Sequence, residues 1–319
     1  MTIMITGGTG FIGAQLARMA VADGQRPLLL DPAPPVPAMA DLAPAVDYLP
    51  SSLNSLSSLV EQLRGRGVDT VFHLGGLLSV PSEQDPWAAF EVNINGTFRL
   101  LEAARLCGVK RLVFASSIAV YGQDLPAGPV NESSVEHPAS MYGVGKVVVE
   151  QLGRHYHRRF GLDFRAIRVP SVVGPGSKVP HMSIYNCWAI EKPLQGDAYQ
   201  ILVEPQTRCP VIYYRDTVRA LWELGMAPEA GIKTRVYNIN GVAPSFSAQE
   251  LVDEVTRQVP GARLSFTPDP EINRMLSQVG QLDLDDSRAR QEWGWLAGYD
   301  LPSMVSQFIA DFRASNPGR

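Results

Sequence analysis

Met4-Ile5-Thr6-Gly7-Gly8-Thr9-Gly10-Phe11-Ile12-Gly13 is the stretch from which the rest of the chain can be read. Thr2 to Thr6 has the composition of a short buried strand, and Phe11 onward has the pattern of an amphipathic helix. Gly7, Gly10 and Gly13 between them form a G-x-x-G-x-x-G run. Such glycines allow a tight turn, a close backbone approach to a pyrophosphate, and a helix packed against the sheet. The helix start then offers free N–H groups and partial positive charge to an anion. A glycine triplet alone is weak, but Asp31 follows 18 residues after Gly13, at the end of Pro27-Leu28-Leu29-Leu30. A carboxylate there accepts hydrogen bonds from both hydroxyls of an adenosine ribose and repels a 2′-phosphate, so the expected cofactor is NAD rather than NADP.

The alternation continues outward from that turn. Apolar runs predict strands at 2–6, 27–31, 46–49, 69–74, 110–116 and 163–169. Helical patterns predict helices at 11–23, 53–66, 85–107 and 140–161, which together give a parallel sheet covered on both faces. The proline-rich stretch from Asp31 to Pro50 is expected to be loop or short extended pieces. After Pro170 the alternation stops, with later helices expected near 181–192, 216–227, 247–258 and 302–314. Residues 1–170 are therefore read as a dinucleotide-binding domain. Residues 171–315 are read mainly as a smaller substrate lobe, with segments returning to the main sheet.

Bulk properties narrow the function class. The 319 residues are 45% hydrophobic and carry a net charge of −4, with no dense Lys/Arg block, which argues against nucleic acid as a partner. No apolar run approaches the roughly 18 residues of a membrane span, and no secretory leader is expected ahead of the glycine turn. Cys107, Cys187 and Cys209 show no metal spacing and no even framework. No metal site is expected, and the thiols suit a reducing cytoplasm.

Two further segments carry chemistry. Tyr142 and Lys146 are four apart in Tyr142-Gly143-Val144-Gly145-Lys146, hence on one helix face. A lysine beside a phenol favours phenolate and lowers the tyrosine pKa, giving a general acid/base near neutral pH. An ordinary surface pair would show the same spacing. Phe114 to Gly122 reads as a buried strand running into Ser116 and Ser117 at its C-terminal end, where open α/β sheets bind ligands.

With these three signals in order, the chain resembles the extended short-chain dehydrogenase/reductase (NAD-dependent epimerase/dehydratase) superfamily over nearly its whole length. The resemblance implies a Rossmann-type doubly wound sheet and a catalytic triad of Ser117, Tyr142 and Lys146. It also implies cofactor contacts from Gly7, Gly10, Phe11, Ile12, Gly13, Asp31, Leu74, Gly75, Gly76, Asn93, Ser116 and Pro170, besides Tyr142 and Lys146, with Asn93 also expected to hold the helix–strand geometry. The family's adenine-contacting aspartate falls on Ser52, followed by Leu53, and its Ala-Ala after His-Leu is Gly75-Gly76. Both are departures from the family pattern.

His73 to Ser79, Cys209 to Asp216 and Leu284 to Trp295 look like the short-chain L-threonine 3-dehydrogenase branch, in which Ser79 matches a serine near the substrate. Two parts of that branch's pocket are missing. Its Pro-Gly-Gly-Gly-Thr-Thr-Asp loop is the shorter Gly174 to Met182 here, and its tryptophan falls in Gln278-Val279-Gly280. The oxidoreductase therefore carries over and the substrate does not. A sugar-acid dehydrogenase of D-erythronate type is a second likeness.

The expected reaction is hydride transfer between NAD and a small secondary alcohol: a hydroxy acid, amino alcohol or sugar acid. A nucleotide-sugar 4-epimerase or dehydratase with tightly held NAD is the alternative, and a non-catalytic dinucleotide sensor is a third possibility. His181 and Tyr185 are candidates for the substrate pocket or for a packed interface. Lys178 and Arg208 are candidates for a substrate anion or for solvated charge, and Trp293 and Trp295 for core. Helices 85–107 and 140–161 pair across a two-fold axis in the resembling family, which implies a homodimer.

Overall fold

The computed structural model describes residues 1–122, 124–125, 128–177, 183–276 and 282–316. The first half builds β1 (Ile3–Thr6), α1 (Phe11–Ala22), β2 (Leu28–Asp31), β3 (Asp47–Pro50), α2 (Leu56–Gly65) and β4 (Thr70–His73). There follow α3 (Ser79–Gln84), α4 (Pro86–Ala89), a π-helical stretch (Phe90–Gly96), α5 (Thr97–Cys107), β5 (Arg111–Ser117), α6 (Met141–Phe160) and β6 (Asp163–Val169). Beyond Pro170 come β7 (Ser171–Val173), α7 (Tyr185–Leu194), β8 (Tyr199–Ile201), β9 (Val211–Tyr213), α8 (Tyr214–Met226) and β10 (Val236–Asn238). The chain closes with α9 (Ala248–Gln258), β11 (Leu264–Phe266), α10 (Pro270–Leu276), α11 (Ser287–Trp293) and α12 (Leu301–Ser315).

Seven strands form one parallel sheet in the order β10-β6-β5-β4-β1-β2-β3. β1 and β4 are buried at every position, as a strand covered on both faces must be. One apolar cluster packs α1 and α8 against the sheet and includes the fully buried Trp295. A second, with Leu59, Leu100, Leu101 and Tyr156, seals the opposite face under α2, α5 and α6. A third belongs to the later segments, around Tyr185, Cys187, Val211, Leu251 and Phe308. The order turns back at β1 and β4, so the loops after these strands diverge and leave a crevice at the strand C-termini. Among the described residues, no helix is long and apolar enough to cross a membrane.

The six expected strands form within a residue or so of their bounds. The expected helix at 85–107 forms as an unbroken helical run over 86–107, with a change to π pitch at Phe90–Gly96. Asn93 holds the backbone of Leu77 from both sides, with Oδ1 accepting from Leu77 N at 2.7 Å and Nδ2 donating to Leu77 O at 3.0 Å. Gly96 lies against Leu53, where an added Cβ would approach Leu53 Cβ to 3.0 Å. Both contacts are made from the stretch of π pitch. The stretch after Asp31 contains a 3-10 turn at Pro37–Met39, because a proline at the first position of a turn has no N–H to satisfy. Of the helix expected at 181–192, residues 181 and 182 lie outside the described residues, and α7 runs on through Pro193.

Beneath the crevice lies a buried charge network. Glu150 of α6 and Arg168 of β6 are both fully buried and meet at 2.7 Å. Arg168 also donates to Tyr121 Oη at 2.6 Å, and Tyr121 Oη donates to Asn238 Oδ1 at 2.8 Å. Removing one partner of such a pair strands the other charge in the interior. Glu150→Ala is expected to cost about 3–5 kcal/mol of unfolding free energy, measured by urea titration of the full chain.

Candidate active site

The crevice is a cavity of about 840 Å³ that runs from the glycine turn to the ends of β5 and β6. At one end Gly7 has φ +68°, a backbone region that side chains disfavour. A Cβ on Gly13 would stand 2.1 Å from Gly7 O, so the turn closes only with glycine there. Gly10 begins α1 with no side chain capping it, which leaves the first N–H groups for an anion. Asp31 is held beside the turn, its Oδ2 accepting from Thr9 N at 3.2 Å and its Oδ1 from Ala33 N at 2.9 Å. A cradle that a Cβ would fill, beside a fixed carboxylate, fits the pyrophosphate and ribose of NAD. Phe11, Ile12, Ser52 and Leu53 complete this half of the wall.

At the other end Ser117 is the last residue of β5, and its Oγ accepts from Ala119 N at 3.2 Å as the chain enters a short 3-10 turn. Tyr142 sits in the first turn of α6, capped by Ser140, whose Oγ accepts from Gly143 N at 3.1 Å. A Cβ on Gly143 would come 2.2 Å from Ala119 O, so a glycine next to Tyr142 lets α6 press against the turn that follows Ser117. Serine hydroxyl and tyrosine phenol consequently face each other and interact, both on the cavity wall.

The electrostatics differ from the expectation that Lys146 lowers the Tyr142 pKa. Burial pushes the Tyr142 phenol up to about 12, against a smaller downward pull from the Ser117 hydroxyl. Lys146 is itself pulled down to about 8 by burial, with Glu150 opposing the shift. Its Nζ lies behind the phenol, 5.2 Å from the Tyr142 ring centre and 4.5 Å from that of Phe114, and donates to Ala115 O at 2.7 Å. In this structure desolvation is the dominant cause of the Tyr142 shift.

Leu74, Gly75, Gly76, Ser79, Ser116 and Pro170 also line the cavity, so most of the expected residues are brought together. Asn93 secures the Leu77 backbone and is not itself on the wall. Two depart from expectation. Ser116 touches the cavity, but its hydroxyl is committed to Glu150. Tyr185 is buried in the lobe core and is not a wall residue, because α7 packs against α9, α12 and β8. His181 and Lys178 lie outside the described residues. Arg208 is exposed and paired with Glu250 at 3.1 Å. Among the described residues, no cluster of His, Cys, Asp and Glu is arranged to hold a metal.

Some residues went unread in the sequence. Glu150 repeats the four-residue step one turn beyond Lys146, and Arg168 interrupts an apolar strand. A charge inside a buried strand signals a buried partner, and that signal was available. Ser171, Ser183 and Cys209, which also line the cavity, carry no comparable mark. Gly13→Ala is expected to weaken NAD binding by roughly 10-fold or more, since a one-unit loss of binding free energy in log terms is only about 1.4 kcal/mol; isothermal titration calorimetry checks it.

The model of the NAD dependent epimerase/dehydratase family matches residues 3–240. A curated relative, the mitochondrial L-threonine 3-dehydrogenase of Bos taurus, is 30% identical over 309 residues, covering 96% of this chain and 81% of its own. A partial consensus L-threonine 3-dehydrogenase superposes with TM-score 0.89 at 29% identity, covering 98% of this chain and 100% of its own. The holo form of the GalE-like L-threonine dehydrogenase from Cupriavidus necator gives TM-score 0.89 at 28% identity, covering 98% and 99%. The chain therefore belongs to the NAD dependent epimerase/dehydratase family, as an NAD-dependent oxidoreductase of the extended short-chain dehydrogenase/reductase type.

Proposed function

We propose that the protein oxidises a small secondary alcohol (a hydroxy acid, amino alcohol or sugar acid) to the ketone, or runs the reverse reduction. The observation that carries this reading is the pairing of Ser117 and Tyr142 on one wall of the cavity that also holds the glycine turn and Asp31. Ser117 Oγ holds the substrate oxygen, and Tyr142 Oη takes its proton. Lys146 supplies a positive charge behind the phenol, which favours the phenolate that this transfer creates. When bound, NAD supplies the hydride acceptor. Gly7, Gly10, Gly13 and Asp31 would hold it, with Leu74 to Gly76 beside its reactive end. Fixing all these groups on strand ends and helix starts restricts the reactants to the productive geometry.

The L-threonine 3-dehydrogenases among its relatives are the guide to substrate size. The shortened loop after Gly174 supports a different recognition of the substrate's second functional group. A homodimer through the helical run at 86–107 and α6 is part of the proposal, since Trp87 is 75% exposed and Phe98 45% exposed, alongside Phe90 and Phe160. Residence in the cytoplasm is proposed on the three unpaired thiols.

Tyr142→Phe is expected to abolish NADH formation while calorimetry still registers NAD binding; full activity in this variant would defeat the assignment. Turnover without net cofactor reduction would point instead to an epimerase. Alcohol oxidation is expected to rise with pH as the phenol loses its proton. In Lys146→Met the rise moves to higher pH, because removing a nearby positive charge raises the phenol pKa; the pH–rate profile reads this directly. Light scattering on a size-exclusion column is expected to give twice the 34.8 kDa chain mass, and a monomer at micromolar concentration would remove the dimer.

A further inference from the structure

The mechanism above uses one serine and one tyrosine of the cavity wall, yet a second group of hydrogen-bonding side chains lies beyond them. In the sheet, Ser117 is registered with Val169 on the neighbouring strand, and Ser171 follows two residues later at the start of β7. Its Oγ meets Ser183 Oγ across the cavity end. Cys209, just ahead of β9, interacts through its thiol with both hydroxyls. All three residues line the cavity. Asn186, fully buried, fixes the backbone beneath them by donating from Nδ2 to Ser183 O at 3.2 Å.

These groups are uncharged under ordinary conditions. Burial pushes the Cys209 thiol up to about 12, so it remains protonated. The surrounding wall is apolar, with Leu78, Val172 and Leu276. A hydroxyl offers one donor and two acceptor sites, so Ser171 retains hydrogen-bonding capacity while it contacts Ser183. A substrate oxygen entering an apolar wall is costly to leave dry, and the remaining site on the Ser171 hydroxyl would satisfy it. Two residues of extended chain advance roughly 7 Å. Neighbouring strands stand about 4.8 Å apart, so Ser117 and Ser171 are offset by roughly 8.5 Å along and across the sheet; two hydrogen bonds of about 2.8 Å each leave about 3 Å, which suits oxygens on neighbouring or next-nearest carbons.

We propose that Ser171, Ser183 and Cys209 form a neutral hydrogen-bonding subsite that selects secondary alcohols bearing a second, uncharged oxygen one or two carbons from the reacting carbinol. The inference rests on the oxidoreductase reading above and narrows its substrate class. An uncharged patch compensates a hydroxyl or carbonyl oxygen. A carboxylate in the same position would lose its hydration without gaining a counter-charge from these three residues.

The test compares 2,3-butanediol, 2-butanol and 3-hydroxybutyrate as substrates for the full chain with NAD. The diol is expected to exceed 2-butanol in kcat/KM by roughly 10-fold or more, as for a site built around a substrate hydroxyl. Ser171→Ala should bring that ratio toward one, whereas Ser171→Thr, which keeps the hydroxyl, should preserve it. A ratio unaffected by Ser171→Ala, or a preference for 3-hydroxybutyrate over the diol, overturns the subsite. Oxidation of any of the three that disappears in Tyr142→Phe would leave the oxidoreductase reading standing even then. If none is oxidised, saturation-transfer NMR on the NADH-loaded protein decides. Preferential binding of the diol over 2-butanol, lost in Ser171→Ala, supports the subsite, and equal binding overturns it.

Discussion

The reaction end of the cavity depends on one buried carboxylate. Glu150 sits on the helix that carries Tyr142 and Lys146, accepts a hydrogen bond from Ser116 on the strand that ends in Ser117, and is paired with Arg168 on the next strand. Three separate elements are thereby held in register from below, and the phenol and hydroxyl that must converge belong to two of them. Arg168 extends the tie through Tyr121 to Asn238 on the outermost strand, which the chain reaches only after leaving the sheet and returning to it. Such a network is a poor source of net stability, because two ions must be desolvated to form it. Its value here lies in fixing relative position.

At the far end the constraint is steric. Gly7 and Gly13 leave no room for a Cβ, and Gly143 imposes the same condition on the reaction side by letting α6 touch Ala119. The two ends thus use one device: a glycine where backbone must meet backbone. Between them the distances are set by a parallel sheet whose inner strands β1, β4 and β6 are buried at every position. The cavity is consequently a product of the fold's edges, and its polar groups are supplied by residues at strand ends and helix starts.

Much of this was legible in the sequence, for reasons that differ from residue to residue. The glycine turn, Asp31 and the Tyr142–Lys146 step are local patterns whose chemistry follows from spacing, and they led to the cofactor and the family. The strands were legible because burial on both faces leaves continuous apolar runs. The direction of the Tyr142 shift was not legible, since it depends on how deeply the phenol is buried, a quantity that no local spacing contains. Tyr185 was misplaced because helical spacing gives a face without saying what that face meets. The short strands after Pro170 escaped notice because three-residue segments carry almost no periodicity. Ser171, Ser183 and Cys209 come together only through the pairing of β7 with β9, a long-range contact that leaves no trace in the chain order.

The π-helical stretch from Phe90 to Gly96 has a consequence for how this region tolerates change in length. A π turn accommodates an extra residue relative to regular α pitch, and each residue of a helix rotates what precedes it by about 100°. Losing a single residue there would give a more regular helix and a broken clamp, with Asn93 swung away from Leu77. Regularity and the Asn93–Leu77 clamp are opposed at this spot, so a length change here costs the fixed backbone beside the crevice even where it yields a smoother coil.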